Sequence, residues 1–459
     1  MLLAISLAFS LLVVNAFWVG SGSHRWCRAA AAGALALVAT AAGACGSAHS
    51  SPATTRAGGA PAAGTGSRSS TIPSGAFSDH TGVTSSSVRV GAVSTLSPEG
   101  LFEGALVGTE AYADSVNSTG GVNGRTVIVD AGDDGSSEAG NLGAMQNALS
   151  RDLALVGGYS LQGSLSGTLL ATHPGMPDVA VVPDARTNAL PNVYSPVPLG
   201  GWETGPLLYF GKKYPADVTA AGTLTVDTPS ALAVRAGERR VMDKEGYRVV
   251  CDPTIPVGQA DLTPEVVAMK HAGVRILFAD QLPATDVSAL LLGLQRQDFH
   301  PQVVLGGTGY AQALVAGPGA PAAEGALVDQ DTSFYLGQDA ALLPAVQRFD
   351  RWVAVAAPGF RPDLFTLYGW LGAELFCDAL RNAGGDPSRG SLLSALSRTT
   401  RFSGDGIEAP ADPAARTAGD CYLIGRVSGG DYHRLDDPPV TSGTNGYRCD
   451  GAYVPASAA

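Results

Sequence analysis

At 459 residues the chain exceeds the roughly 250 to 300 residues at which one hydrophobic core stops growing, so two lobes are expected. Hydrophobic residues make up 45% and charged residues 15%, with 29 basic against 41 acidic side chains and a net charge of −12. Only four lysines occur and no basic cluster forms a phosphate-tracking face, which argues against a nucleic-acid partner.

Met1 to Gly20 is apolar and long enough to span a bilayer of ~30 Å as a helix, but it lacks the basic segment that precedes a signal core. A start near Val19 accounts for it better than a transmembrane anchor. Ala29 to Ala44 is a second apolar run, preceded by Arg25 and Arg28 and followed by Cys45-Gly46-Ser47. That layout resembles a bacterial lipoprotein signal, which implies cleavage behind Ala44 and diacylation of Cys45; Ala42 stands where such signals prefer Leu. Residues 1–45 are thus read as signal and 46–85 as a linker. Gly46 to His80 holds almost no large apolar side chain to offset the entropy of ordering, so a flexible tether is expected there.

Val88 to Val93 is a short β-branched run broken by Ser94 to Gly100, the pattern of a buried strand ending in a loop. Ala105, Leu106, Thr109, Tyr112, Ala113 and Val116 recur at helical spacing, and Gly120-Gly121 stop that helix. Thr126 to Asp130 returns as a second strand, giving a right-handed βαβ unit and a parallel sheet. A helix Ala139–Ser150, a strand Leu153–Gly157 and a strand Val179–Val182 extend it. Ligands of such sheets sit beyond the carboxyl ends of the strands. The crevice is therefore expected at the loops after these strands, among them Gly158–Ser164 and Pro183–Asn188. A second series follows: a helix Glu203–Tyr214, then strands Val218–Val226, Tyr247–Val250, Val274–Ala279 and Gln302–Leu305 alternating with helices Ala231–Glu245, Leu262–Ala272 and Asp286–Arg296. Leu364–Ala383 is the longest helix, Ser388–Ser397 a shorter one, and Cys421–Leu435 a hairpin around Gly429-Gly430.

The succession GVTSSSVRVGAVSTLSP, EAYADSVNSTGGVNGR and DDGSS, with TIPVGQADLTPEVVAMKHAGVRILFAD later, resembles the extracytoplasmic solute-binding proteins of ABC importers, branched-chain amino-acid (Leu/Ile/Val-binding) type. The resemblance implies the type I periplasmic-binding-protein fold: two doubly wound α/β parallel-sheet lobes joined by a three-segment hinge. It divides the chain into lobe I, 86–200 plus 330–420, and lobe II, 201–329 plus 421–457, with crossings near Pro198–Thr204, Ala326–Ser333 and Asp420. It implies a monomer, anchored by lipid to the outer face of the cell membrane or secreted, that takes a small-molecule ligand to an ABC permease. A ligand sensor of the same fold signalling to a membrane partner is the alternative.

Relatives that bind aliphatic amino acids hold the α-carboxylate from loops that correspond here to Ser160 with Gln162 and to Ala185 with Thr187. The acid that meets the ammonium in the last second-lobe loop is missing from Gly306–Tyr310, which carries Thr308, and an aromatic residue expected earlier is replaced by Gln281 beside Asp280. Either Asp280 takes over the ammonium or the ligand is not an α-amino acid. Arg186 adds a guanidinium suited to a carboxylate or phosphate. A small anionic or zwitterionic solute is expected, a branched-chain or other amino acid first.

Cys251, Cys377, Cys421 and Cys449 form an even set in an exported chain, so two disulfides are expected. Three pairings are possible. Cys421 and Cys449 flank the hairpin and its return, so their bridge would fasten the tail and leave Cys251 to Cys377. No C-x-x-C or H-x-x-x-H spacing suggests a metal, and no nucleophile elbow, phosphate loop or zinc-protease motif supports catalysis or a cofactor. The adjacent Asp133 and Asp134 are the one remaining candidate, for binding a cation or for acid–base work.

Overall fold

The computed structural model describes residues 71–455 except Pro98, Glu99, Pro183, Leu199, Gly200, Asp280, Pro318 and Ala418. The expected signal, lipidation site Cys45 and first part of the linker lie outside the described residues, as does Asp280.

Lobe I begins with β1 (Ser87–Ser94), α1 (Glu103–Asn117), β2 (Thr126–Asp133), α2 (Glu138–Arg151), β3 (Ala154–Val156), α3 (Gly163–Thr172), β4 (Asp178–Val179) and the short α4 (Ala185–Asn188). The sheet order is β2-β1-β3-β4, all parallel. β1 alternates as a strand covered on both faces must: Val88 and Val90 pack with α1, whereas Val93 packs with Met145 and Ala148 of α2. The φ of Gly120 is +100° and that of Gly121 +75°, which is why the helix can end where it does.

Lobe II runs through β5 (Gly201–Glu203), α5 (Gly205–Lys213), β6 (Ala221–Thr223), β7 (Thr225–Val226), α6 (Pro229–Lys244), β8 (Val249–Cys251) and β9 (Thr254–Ile255). It continues with α7 (Thr263–Ala272), β10 (Ile276–Phe278), α8 (Ala284–Arg296), β11 (Gln302–Leu305), α9 (Gln312–Ala316), α10 (Ala320–Ala323) and β12 (Leu327–Gln330). The chain then returns to lobe I as α11 (Asp339–Leu342), α12 (Pro344–Ala356), α13 (Leu364–Asn382) and α14 (Arg389–Leu396). It closes with β13 (Leu423–Ser428), β14 (Asp431–Arg434) and β15 (Tyr453–Pro455). The second sheet has the order β14-β13-β12-β11-β10-β6-β8, with the β13–β14 hairpin antiparallel at its edge.

α13 crosses α1 at a pair of glycines. A Cβ on Gly369 would lie inside the van der Waals shell of the Ala105 carbonyl, and one on Gly108 inside that of Thr366. The Asp363 capping box starts α13, and Trp370 packs edge-on against Tyr112 and Phe349.

Several local expectations change. The tether ends earlier than residue 85: Ser74–Ser78 is a 3-10 turn, and Arg389 of α14 holds Asp79 at 2.9 Å while donating to the carbonyls of Leu149, Asp152 and Leu153. The helix expected from Glu203 begins at Gly205. Residues 201–203 are extended because β15 pairs with them, Tyr453 opposite Glu203. The expected strand Val218–Val226 is a 3-10 turn followed by β6 and β7, and residues 185–188, expected in a loop, form α4.

Candidate functional site

The carboxyl ends of β1, β2 and β3 are knotted together by one buried carboxylate. Thr95 Oγ1, in the loop after β1, donates to Asp134 Oδ2 at 2.9 Å, and the hydroxyl of Ser160, in the loop after β3, donates to the same oxygen. The Ser136 N–H donates to Asp134 Oδ1 at 2.9 Å. Its neighbour Asp133 accepts from the N–H groups of Leu96, Ser97 and Gly135 at 2.9–3.2 Å. The Ser97 hydroxyl and these amides hold the Asp133 carboxyl down to about 2. The adjacent acids therefore shape loops: Asp133 accepts four hydrogen bonds and Asp134 has no solvent exposure.

Over these loop ends lies an aromatic cluster that sequence reading did not single out. Phe102 precedes α1, Tyr159 follows β3, and Phe365 and Tyr368 occupy the first turns of α13. The ring centroids are 4.8 Å apart for Phe102–Tyr159, 4.6 Å for Phe102–Phe365, 4.8 Å for Tyr159–Phe365 and 6.1 Å for Tyr159–Tyr368. Tyr159 and Phe365 are half-buried, leaving ring surface at the mouth of the strands. The i, i+3 spacing of Phe365 and Tyr368 was visible in the sequence, but it reads equally as core. Beneath Tyr159 a small cavity of about 50 Å³ reaches Asp178, whose carboxyl burial pushes up to about 7.

The structure distributes the sequence-derived site residues between the lobes. Ser160 and Thr187 line that same small cavity. Ser160 Oγ is fully engaged, since it also accepts from Gln162 N at 2.8 Å and Asn141 Nδ2 at 3.2 Å. Gln162 precedes the first turn of α3. Ala185 opens α4, Arg186 is exposed on it, and Thr187 is buried with its hydroxyl donating to Asp184 at 2.6 Å. In lobe II, Gln281 lies half-buried in the turn after β10, and Thr308 Oγ1 donates to the Leu282 carbonyl at 3.1 Å, tying that turn to the loop after β11. The Ser160, Thr187 and Thr308 hydroxyls all spend their protons within their own lobes.

One expected disulfide is formed and the other is not. Cys421 and Cys449 are joined. Cys377 is a free thiol with no solvent exposure inside α13, so it does not pair with Cys251, which belongs to β8 of the other lobe. A helix face buried against α1 in lobe I cannot present its sulfur to the sheet of lobe II.

Three segments cross between the lobes: β5 enters lobe II, Asp331–Ser333 leaves it after β12, and the chain returns into β13. The second lies beside residues that precede the third. Thr332 faces Glu408 in an antiparallel bridge, Ser333 N–H donates to Ile407 O at 2.6 Å, and Ala409 N–H to Asp331 O at 2.7 Å. Acids gather here. Burial, then the charges of Asp331, Asp329 and Asp420, raises the Glu203 carboxyl well above the carboxylate range. Burial, then Asp331, Glu203 and Glu374, does the same to Glu408, which is 2% exposed.

Comparisons with known proteins bear on this fold. The family model described as periplasmic binding protein matches residues 87–431. The chain belongs to that family. The fold of this binding protein is therefore the type I periplasmic-binding-protein fold. Its structure is similar to that of a fatty acid ABC transporter substrate-binding protein from Thermomonospora curvata, with 16% identity, a TM-score of 0.63, and 82% of this chain and 94% of that one covered. It is similar also to a leucine-binding protein from Thermotoga maritima, with 14% identity, a TM-score of 0.62, and coverage of 76% and 97%. A third is an ABC transporter solute-binding protein from R. palustris in complex with benzoate, with 17% identity, a TM-score of 0.60, and coverage of 76% and 95%. No curated protein matches the chain. The family and these neighbours are binding proteins rather than enzymes. Among the described residues no helix is long and apolar enough to cross a membrane.

Proposed function

We propose that this binding protein is the lipid-anchored, extracytoplasmic solute-receiving subunit of an ABC importer, capturing a small polar or amino-acid-like molecule between its lobes and presenting the closed form to a permease. The observation that carries the reading is the hinge. Two doubly wound sheets meet through three chain crossings, an arrangement that lets one lobe turn against the other. Strand-end loops of both lobes, around Tyr159 and Thr187 on one side and Gln281 and Thr308 on the other, supply walls that closure would bring onto one solute.

A thermal-shift screen of amino acids, short carboxylates, amines, amides and polyols identifies solutes, and small-angle scattering with the best hit tests closure. The radius of gyration is expected to fall at saturation. An unchanged radius, or a hit that is chemically converted, would count against the reading. For the anchor, Cys45→Ala should move the protein from the membrane fraction to the medium; retention in the membrane would refute lipidation at that residue.

A further inference from the structure

A second cavity, of about 630 Å³, opens beside the third crossing. That size lies within the roughly 300 to 1,000 Å³ of small-molecule sites. No described residue of the loops after β1, β3, β10 or β11 lines it, so it is separate from the solute cleft. Arg401 and Asp412 reach it from the segment before the crossing, and Tyr453 from the tail. Cys421 and Cys449, the two halves of the disulfide, form part of its wall.

Backbone pairing sets the two charged residues across from each other. Phe402 and Ala411 exchange both N–H to carbonyl bonds, at 3.0 and 2.9 Å, so Arg401 and Asp412 are the next opposed positions of an antiparallel pair, with Cβ atoms about 4.5 to 5.5 Å apart. Neither is spent on the other. The exposed Arg401 guanidinium forms no hydrogen bond or ion pair with another described residue. Asp412 accepts from the Ala415 N–H at 2.8 Å through Oδ1, and its other oxygen has no partner among the described residues. A cation and an anion therefore face one cavity side by side, the complement of a molecule that carries an adjacent carboxylate and ammonium.

The bridge is open to attack from the same space. Cys449 is exposed, whereas Cys421 is 5% exposed, so an entering thiol meets Cys449 first. Next to the bridge Tyr422 N–H donates to Arg448 O at 2.8 Å and Arg448 N–H to Tyr422 O at 2.9 Å, which keeps the two chain segments together when the sulfur bond opens. Exchange thus requires no unfolding.

We propose that this cavity is a thiol-exchange site for a small zwitterionic thiol of amino-acid type, whose carboxylate rests on Arg401 and whose ammonium rests on Asp412 while its sulfur reacts with the bridge. The entering thiolate attacks Cys449 Sγ, the Cys421–Cys449 bond breaks, and a mixed disulfide forms on Cys449. The electron pair leaves with Cys421 Sγ, which takes up the proton that the entering thiol released; Asp420 Oδ1, 3.5 Å away, can accept from that new thiol. No external oxidant or reductant is needed. The site goes beyond solute capture and stands or falls independently of it.

The test uses the purified full chain with its bridge closed, at neutral pH, and three probes: cysteine, which carries both charges, cysteamine, which lacks the carboxylate, and β-mercaptopropionate, which lacks the ammonium. Samples are blocked with N-ethylmaleimide while folded and mapped by peptide mass. Each rate is divided by that thiol's rate with a small reference disulfide, which cancels differences in thiol acidity. The adduct is expected on Cys449, with Cys377, which has no solvent exposure, unlabelled because the fold stays closed. Cysteine should exceed each single-charge probe by about 2- to 5-fold, the range of one exposed ion pair. Arg401→Ala should remove its advantage over cysteamine, and Asp412→Asn, which keeps the acceptor for Ala415, its advantage over β-mercaptopropionate. A bridge that opens only in denaturant, an adduct on Cys421, or labelling of Cys377 in step with exchange would overturn the site. Equal corrected rates for the three thiols, or rates indifferent to both variants, would overturn it as well.

Discussion

Breaking the Cys421–Cys449 bridge gives a prediction whose size follows from the chain. The two cysteines are 28 residues apart, so the loop-closure relation gives about 12 cal/mol/K of denatured-state entropy, or about 3.6 kcal/mol at 25 °C. Unfolding entropy of about 2.1 cal/mol/K per residue over roughly 380 described residues is about 0.8 kcal/mol/K. Cys421→Ala with Cys449→Ala should therefore lower the melting temperature by about 4 to 5 °C if both lobes melt together, and by about twice that if lobe II melts alone. The consequence reaches the hinge. The bridged tail carries β15, whose partner is β5; Thr204 N–H donates to Ala452 O and Ala452 N–H to Thr204 Oγ1, each at 2.8 Å. Freeing the tail should thus weaken solute binding as well as stability. Scanning calorimetry of wild type and the double variant measures the shift, with peptide mapping to establish that the wild-type bridge is closed. A change under about 1 °C with the bridge verified would show that the tail is already confined when the rest of the chain unfolds, and would refute the entropic argument.

Gly369→Ala should destabilise by about 1 to 3 kcal/mol despite the better helix propensity of Ala, because the new methyl meets the backbone of α1 rather than a movable side chain; denaturant unfolding measures it, and a gain in stability would refute the close crossing. Asp178 is raised to about 7 in the fold against about 4 when unfolded, so the folded state holds the proton more tightly. Its contribution is fully present below about pH 4 and is lost as pH rises through about 7, at up to roughly 1.4 kcal/mol per unit across that window. Asp178→Asn should flatten this part of the stability profile, and an unchanged slope between the two values would refute the assignment.

Local chemistry dictated much of the architecture. The β1-α1-β2 unit was legible because β-branched residues, helical spacing and the Gly120-Gly121 stop all act within a few residues, and the structure places β1 at Ser87–Ser94 and α1 at Glu103–Asn117. The alternation of strands and helices in lobe II, the length of α13 and the terminal hairpin were legible for the same reason. Tertiary structure decided the rest. Glu203 reads as the start of a helix until β15, from some 250 residues later in the chain, draws it into a strand. Cys377 looks available for pairing until α13 buries it against α1. Ser160, Thr187 and Thr308 read as free hydroxyls, yet the side chains and carbonyls that occupy them come from neighbouring turns whose positions depend on packing. The hinge acids show the limit most plainly: Glu203, Asp331 and Glu408 lie far apart in sequence with no shared period, and only three crossings brought side by side make them neighbours, because burial and charge proximity depend on distance in space and not on distance along the chain.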